Sequence, residues 1–334
     1  MDPVAARRII RLAFGTALAL WVTQVFSWDA SFIAAVLVLF LLGLPIPAPG
    51  LKGGMVFILA LVIPIWLALW ILLPVLTYQP AVGMLLLIAA CFWSFYYSAS
   101  GGSPVLGAFL TLGLAVVAAV GSDSVDTALV VAKALTLNAV IAVAFLWVAH
   151  ALFPDIPLEA SAAPRPKPEP PSREAAIRSA WRSTVIVLPV IVFFLFYAGS
   201  ASYLVVMIKV ASMGQQVEND KTREVGKNLL MSTVIGGAGA VIMWNLLGIW
   251  PSLLFYVLLV ALGGLIMGKH IFSGPGMHAK AGVWSYAFLT MLVIIAPAVM
   301  DSAGGDAAGV KFFDRMAMMG WATLYGMAAV TVFD

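Results

Sequence analysis

Charge is what this chain has least of. Asp, Glu, Lys and Arg make up 10% of its 334 residues, against about a quarter in an ordinary globular domain. So few charges cannot cover the surface of a soluble protein, and that class is excluded. Cysteine is nearly absent as well: Cys91 is the single one and lies inside an apolar run, so neither an intrachain disulfide nor a Cys-based metal cluster is available. Histidine is scarce, and His150, His270 and His278 have no ligand spacing, so no metal site is expected. No acidic metal-binding cluster, no His pair and no Ser with a matching base stands out, which weighs against an enzyme and gives no cofactor to expect.

What fills the chain instead is apolar sequence: 63% of residues, with a mean hydropathy of +1.06. One crossing of the hydrocarbon layer takes about 20 apolar residues. Runs broken at Pro, Gly and charge fall near 9–26, 31–46, 54–76, 80–98, 103–121, 127–153, 183–199, 201–216, 228–249, 251–268, 281–300 and 312–333. The expected fold is therefore an all-α, polytopic integral membrane protein of about twelve transmembrane helices. The second and eighth runs are the shortest, and a count of ten or eleven remains open.

Lys and Arg accumulate in short cytoplasmic loops. With the N-terminus inside, Arg7, Arg8, Arg11, Lys52, Arg165, Lys167, Arg173, Arg178, Arg182, Lys221, Arg223, Lys227, Lys269 and Lys280 all fall on the cytoplasmic side, fourteen of eighteen basic residues. The opposite loops carry Asp29, Asp123, Asp126, Asp301 and Asp306 with only Lys311 as a base. Both termini are thus expected in the cytoplasm. The net charge of +3 is accounted for by this sorting, and no nucleic-acid partner is expected. Arg7, Arg8 and Arg11 ahead of an apolar stretch also match the layout of a secretory signal, but no convincing cleavage site precedes Asp29 and the same segment recurs in mid-chain.

That recurrence is an internal repeat. A shift of 171 positions lays Arg7 on Arg178, Arg11 on Arg182, Ala30-Ser31-Phe32 on Ala201-Ser202-Tyr203, Lys52 on Arg223 and Pro80 on Pro251. Beyond the loop from Lys269 to Lys280 the shift becomes 179, and Ala108-Phe109-Leu110-Thr111 meets Ala287-Phe288-Leu289-Thr290 letter for letter. The expected organisation is a first six-helix repeat over 1–153, a cytoplasmic linker over 154–176 and a second six-helix repeat over 177–334. Six spans is an even number, so the repeats run parallel, related by an axis along the membrane normal, with the pathway expected between the halves. Pro154 to Ser172 holds seven prolines with Arg165, Lys167 and Glu169, the composition of an extended tether.

An Arg-x-x-x-Arg pair opening each half (Arg7 and Arg11, Arg178 and Arg182), six spans, a polar cytoplasmic stretch and six more spans resemble the fusaric-acid-resistance and aromatic-acid-exporter superfamily of bacterial inner-membrane proteins. The chain resembles the short subgroup of that superfamily, which lacks the sizeable cytoplasmic domains of larger members. Plant aluminium-activated malate transporters are similar in half-architecture. The resemblance implies proton-motive-force-driven export of small aromatic carboxylic acids, with a periplasmic membrane-fusion adaptor and an outer-membrane channel as partners. No site residue is carried over from the family.

Site candidates come from physics. An ionisable side chain at the bilayer centre costs about 2.5–3.5 kcal/mol on insertion scales and normally faces a cavity or a partner. Lys133 follows Asp126 by seven residues, two helical turns deeper on one face. In the last span Asp314, Met318, Trp321 and Tyr325 line up in the same way. Lys133 is the first candidate to meet a substrate carboxylate, with Lys209 and Arg315 as further cationic candidates and Trp321 or Tyr325 as the ring contact. Snorkelling, ion pairing and plain packing are the alternatives for these side chains. Asp126, Asp314 and Asp29 are the candidates for proton coupling, because a carboxylate moved between water and an apolar wall can load and release a proton. Gly236, Gly237, Gly239 and the Gly264-x-x-x-Gly268 pair read as close helix packing.

A transporter of small organic acids in the bacterial inner membrane is the leading functional expectation. A passive organic-anion channel is the alternative, encouraged by the cations and by the malate-transporter likeness. An integral membrane enzyme is the third class. Membrane lipid surrounds the protein in each case, and a homo-oligomer is left open.

Overall fold

The computed structural model describes residues 2–28, 30–156, 172–196, 222–274, 276–302 and 308–332. Beside one short strand pair, Phe272–Ser273 with Gly276–Met277, eleven helices account for most of these described residues. They are α1 (Pro3–Val25), α2 (Phe32–Leu42), α3 (Leu51–Tyr78), α4 (Pro80–Ala99), α5 (Pro104–Asp123), α6 (Val125–Leu152), α7 (Arg173–Phe196), α8 (Thr222–Ile249), α9 (Leu253–Ile271), α10 (Ala281–Ser302) and α11 (Ala308–Val332). Eight of the eleven are long and apolar enough to cross a membrane. The protein is an all-α, multi-pass membrane protein.

The helix boundaries follow from local chemistry. Pro3, Pro80 and Pro104 each take the first helical turn, where the missing N–H has no partner to lose. Asp2 caps α1 by accepting a 2.7 Å bond from the Val4 N–H. The Ser252 side chain does the same for α9, accepting from the Phe255 N–H at 3.2 Å. Inside α3, Pro64 and Pro74 flank a π-helical stretch at Ala68–Leu72, a register change of the kind that absorbs lost backbone bonds. The second expected span is only eleven residues long in the structure. Gly43 and the prolines at 45, 47 and 49 stop it, and at about 1.5 Å per residue it is too short to cross alone. It is instead buried among other helices on nearly every side. The eighth expected span, 201–216, lies outside the described residues.

The chain divides into two compact units. The first comprises Met1–Gly54, Leu137–Pro168 and Met231–Met316, the second Met55–Thr136, Glu169–Leu230 and Ala317–Asp334. Each draws on both halves of the sequence. The first unit takes α1, α2 and the end of α6 from the leading half, with most of α8, then α9, α10 and the start of α11 from the trailing half. The second takes the complementary set, α3, α4, α5 and the start of α6, then α7, the start of α8 and the end of α11. The cuts after Gly54 and Leu230, and after Thr136 and Met316, fall within about five residues of matching places along the repeat.

Apolar contact between helices gains little over contact with lipid tails, so close approach through small residues has to hold membrane helices together. In the first unit α9 lies against α1: a Cβ on Gly264 would meet Ala13 Cα at 2.7 Å, and one on Gly268 would meet Ile9 at 3.1 Å. Gly236 and Gly239 bring α8 against Thr290 and Met291 of α10 in the same way, whereas Gly237 has no neighbour nearer than 4.0 Å. In the second unit Gly113 and Gly121 of α5 admit Ile65 and Leu73 of α3. Thr111 and Thr290, matched by the repeat, are both fully buried and both donate to the carbonyl four residues back, at Gly107 and Tyr286.

Candidate functional site

Helix α6 carries the leading candidates. Asp126 stands in its first turn and Lys133 two turns on; both are exposed, as is Val130 between them. Seven residues at 1.5 Å each separate the two charges by roughly 10 Å along the axis, beyond ion-pair reach. Among the described residues no acidic side chain lies within ion-pair distance of the Lys133 ammonium. The two charges thus stand on one exposed face of α6, and no described neighbour neutralises the lysine.

The aromatic candidates on α11 belong to the second unit together with Asp126 and Lys133. Trp321 and Tyr325, one turn apart, stack with ring centroids at 6.0 Å and an interplanar angle of 22°. Phe193 of α7 leans on Trp321 at 5.1 Å. Tyr325 packs against the buried cluster of Ile186, Leu229 and Ala329, while Trp321 keeps an exposed face. No hydrogen bond, ion pair or ring contact among the described residues joins Lys133 to either ring.

Arg315 belongs to the first unit and has a partner that the sequence reading did not foresee. Its Nη1 donates to Asp301 Oδ2 of α10 at 2.6 Å, and Lys311 approaches the other oxygen of the same carboxylate at 3.7 Å. Arg315 is 6% exposed. The neighbouring Asp314 is exposed. Both cations thus converge on the one Asp301 carboxylate. Asp29 and Lys209 lie outside the described residues.

The Arg-x-x-x-Arg pair of the first half does structural work at the end of α6. Arg11, 2% exposed, donates from Nη1 to Asp155 Oδ1 at 2.8 Å and to the Phe153 carbonyl at 3.4 Å. Arg7 donates to the Pro154 carbonyl at 3.2 Å, and Phe14 meets Phe153 edge-on at 5.3 Å. The start of α1 thus fixes the chain as it leaves α6. Asp155 went unnoticed as part of a proline-rich tether. A signal for it was present, since the 179 shift lays Asp155 on Asp334 just as the 171 shift lays Arg11 on Arg182.

Asn138 is a second polar residue that hydropathy concealed. It is fully buried, and its Oδ1 accepts the Ala34 N–H at 3.2 Å, a first-turn donor of α2 that the helix itself cannot pair. Two of the three histidines make local contacts: His150 Nδ1 bonds the Leu146 carbonyl at 2.9 Å, and His270 stacks on Trp284 at 4.1 Å.

Residues 8–149 match the model of a family described as a protein of unknown function (DUF2955). The matched stretch runs from the first turns of α1 almost to the end of α6. No curated protein and no solved structure matches the chain.

Proposed function

We propose that this chain is a transporter of the bacterial inner membrane that exports small aromatic or other organic acid anions, driven by the proton-motive force and working with a periplasmic adaptor and an outer-membrane channel. The observation that carries the reading is the make-up of the two units: each is assembled from complementary elements of two sequence repeats, and internal repeats of this kind are the usual construction of secondary transporters. The Arg pairs and the six-plus-six layout, which resemble the aromatic-acid exporters, support the substrate class. Sorting of basic residues supports cytoplasmic termini. Lys133, a cation in an apolar helix without an acidic neighbour among the described residues, is the contact for the carboxylate. Asp126 on the same face is the proton carrier, and the exposed face of Trp321, held by Tyr325, meets the ring. Arg315, paired with Asp301 beside Lys311, is a further cationic contact, as is Lys209; Asp314 and Asp29 are further carboxylates for proton coupling.

In cells lacking the protein, a labelled aromatic acid should be retained longer than in wild type, and collapsing the proton gradient should erase the difference. Lys133→Met keeps length and apolar character, and losing a hydrogen bond to a charged group at about 1.5–3 kcal/mol should weaken apparent substrate affinity about tenfold or more. Normal export by correctly inserted Lys133→Met removes the lysine from the site. Export that persists without the proton gradient favours a passive anion channel.

A further inference from the structure

At the end of the first unit where α1, α8 and α10 finish and α9 begins lies a cavity of about 500 Å³, within the size range of small-molecule sites. Its wall is mostly apolar and contains two aromatic rings. Trp244 of α8 is one, kept in place by stacking on Phe312 at 5.1 Å and 13°. Tyr256 of α9 is the other, 1% exposed. No charged side chain among the described residues lines it. Asp301 falls between the lining residues Val299 and Ser302 in sequence, but its carboxylate is taken by Arg315 and Lys311.

Two residues of this wall each carry a polar atom without a partner among the described residues. The Tyr256 hydroxyl and the Gln24 Nε2 are buried and have no hydrogen-bond partner among the described residues. A buried donor or acceptor left unpaired costs about 1–3 kcal/mol, so such groups in a cavity wall call for an occupant. Both atoms are shielded from solvent. The half-buried Gln24 side chain is restrained by no hydrogen bond among the described residues, so its rotation can turn the amide toward a ligand.

The repeat supplies an internal control. At the 171 shift, Tyr256 falls on Leu85, Trp244 on Leu73 and Gln24 on Leu195. Leucine occupies all three equivalent positions, so the helical framework does not require a phenol, an indole or an amide there. The polar and aromatic wall belongs to one copy only.

We infer that this cavity is a binding site for a small uncharged ring compound bearing a hydrogen-bond acceptor, such as an aromatic ketone, an aromatic amide or an un-ionised aromatic acid. The ring lies against Trp244 and Tyr256, and the acceptor takes the Tyr256 hydroxyl and the Gln24 amide. A carboxylate is rejected, because the wall holds no cation among the described residues to compensate its desolvation. The assignment concerns equilibrium binding and stands independently of whether the chain transports anything.

The test uses the full chain in lipid nanodiscs and two fluorinated probes read by fluorine NMR: an acetylnaphthalene, and the naphthoate with the same ring system at neutral pH. Empty nanodiscs give the lipid background. Gly248 lines the cavity, sits in α8, and a Cβ there meets nothing within 4 Å. Gly248→Leu therefore fills the cavity without a backbone clash. The ketone should bind saturably, and Gly248→Leu should weaken it about tenfold or more. Tyr256→Phe, which removes only the hydroxyl, should weaken it about two- to tenfold while leaving the empty protein as stable as wild type or more so. The naphthoate should bind at least tenfold more weakly than the ketone. Absence of saturable ketone binding above empty discs, or wild-type affinity in Gly248→Leu, overturns the site. Wild-type affinity in Tyr256→Phe, or equal binding of the naphthoate, overturns the proposed ligand chemistry.

Discussion

Arg11 and Asp155 offer a quantitative test of how the first unit is held together. The arginine is 2% exposed and its partner's side chain 39% exposed, so one charge is desolvated and the other half-wet. Removing the carboxylate strands the guanidinium: Asp155→Asn keeps the shape and an acceptor but loses the charge-assisted bond of 2.8 Å. Hydrogen bonds to charged groups contribute about 1.5–3 kcal/mol, and the exposure of Asp155 moves the expectation to the lower end, about 1–2 kcal/mol. Arg11→Met should cost less than its loss of contacts suggests, because it also removes a charge from an apolar site, and buried pairs are often replaceable by apolar side chains with little loss. Two results follow from the same argument. In reversible denaturation of detergent-solubilised protein, the double-mutant cycle should show a coupling of about 1–2 kcal/mol. The double variant should also be more stable than Asp155→Asn alone. A coupling near zero, or a double variant weaker than Asp155→Asn, would refute the claim that this pair anchors the exit from α6.

Because each unit is assembled from both halves, residues 1–153 expressed alone should be degraded or aggregate, and co-expression with 177–334 should restore an intact, purifiable assembly; a stable, monodisperse first half on its own would contradict the division. Gly264→Val places a branched side chain where even a Cβ comes within 2.7 Å of the Ala13 backbone, so it should destabilise the protein by several kcal/mol, of the order of overpacking at its upper end, whereas Gly237→Val, with no neighbour nearer than 4.0 Å, should cost less than about 1 kcal/mol; equal losses in thermal unfolding would sink the assigned α1–α9 contact.

Much of the helical layout is written locally. Apolar runs of the length a bilayer requires, prolines in first turns, and Ser252 and Asp2 ahead of α9 and α1 each act through the nearest few residues, so element positions are legible without any tertiary knowledge. The repeat is legible for the same reason, since matched residues at a fixed shift need no coordinates. The small-residue pair Gly264 and Gly268 announces a close contact, but not with which helix. In a chain where almost every helix is apolar all round, hydropathy carries no information on partners, and only the fit of side chains decides that α9 meets α1 across more than half the sequence.

The candidate site divides along the same line. Lys133, Asp126, Trp321 and Tyr325 stand out in sequence because charge and aromatic spacing are properties of one helix. Their relations to other helices are not: that Lys133 has no acidic neighbour among the described residues, while Arg315 is claimed by Asp301 and Arg11 by Asp155, follows from which helix ends come together. Tyr256 and Gln24 were invisible for a related reason. An isolated Tyr or Gln near a helix end is unremarkable as sequence, and becomes informative only when the packing buries its polar atom without a partner beside a cavity. Sequence determines where this chain can be helical and how often its design recurs; tertiary structure decides which copy of an element each unit uses, because complementarity between distant surfaces is not encoded in any local pattern.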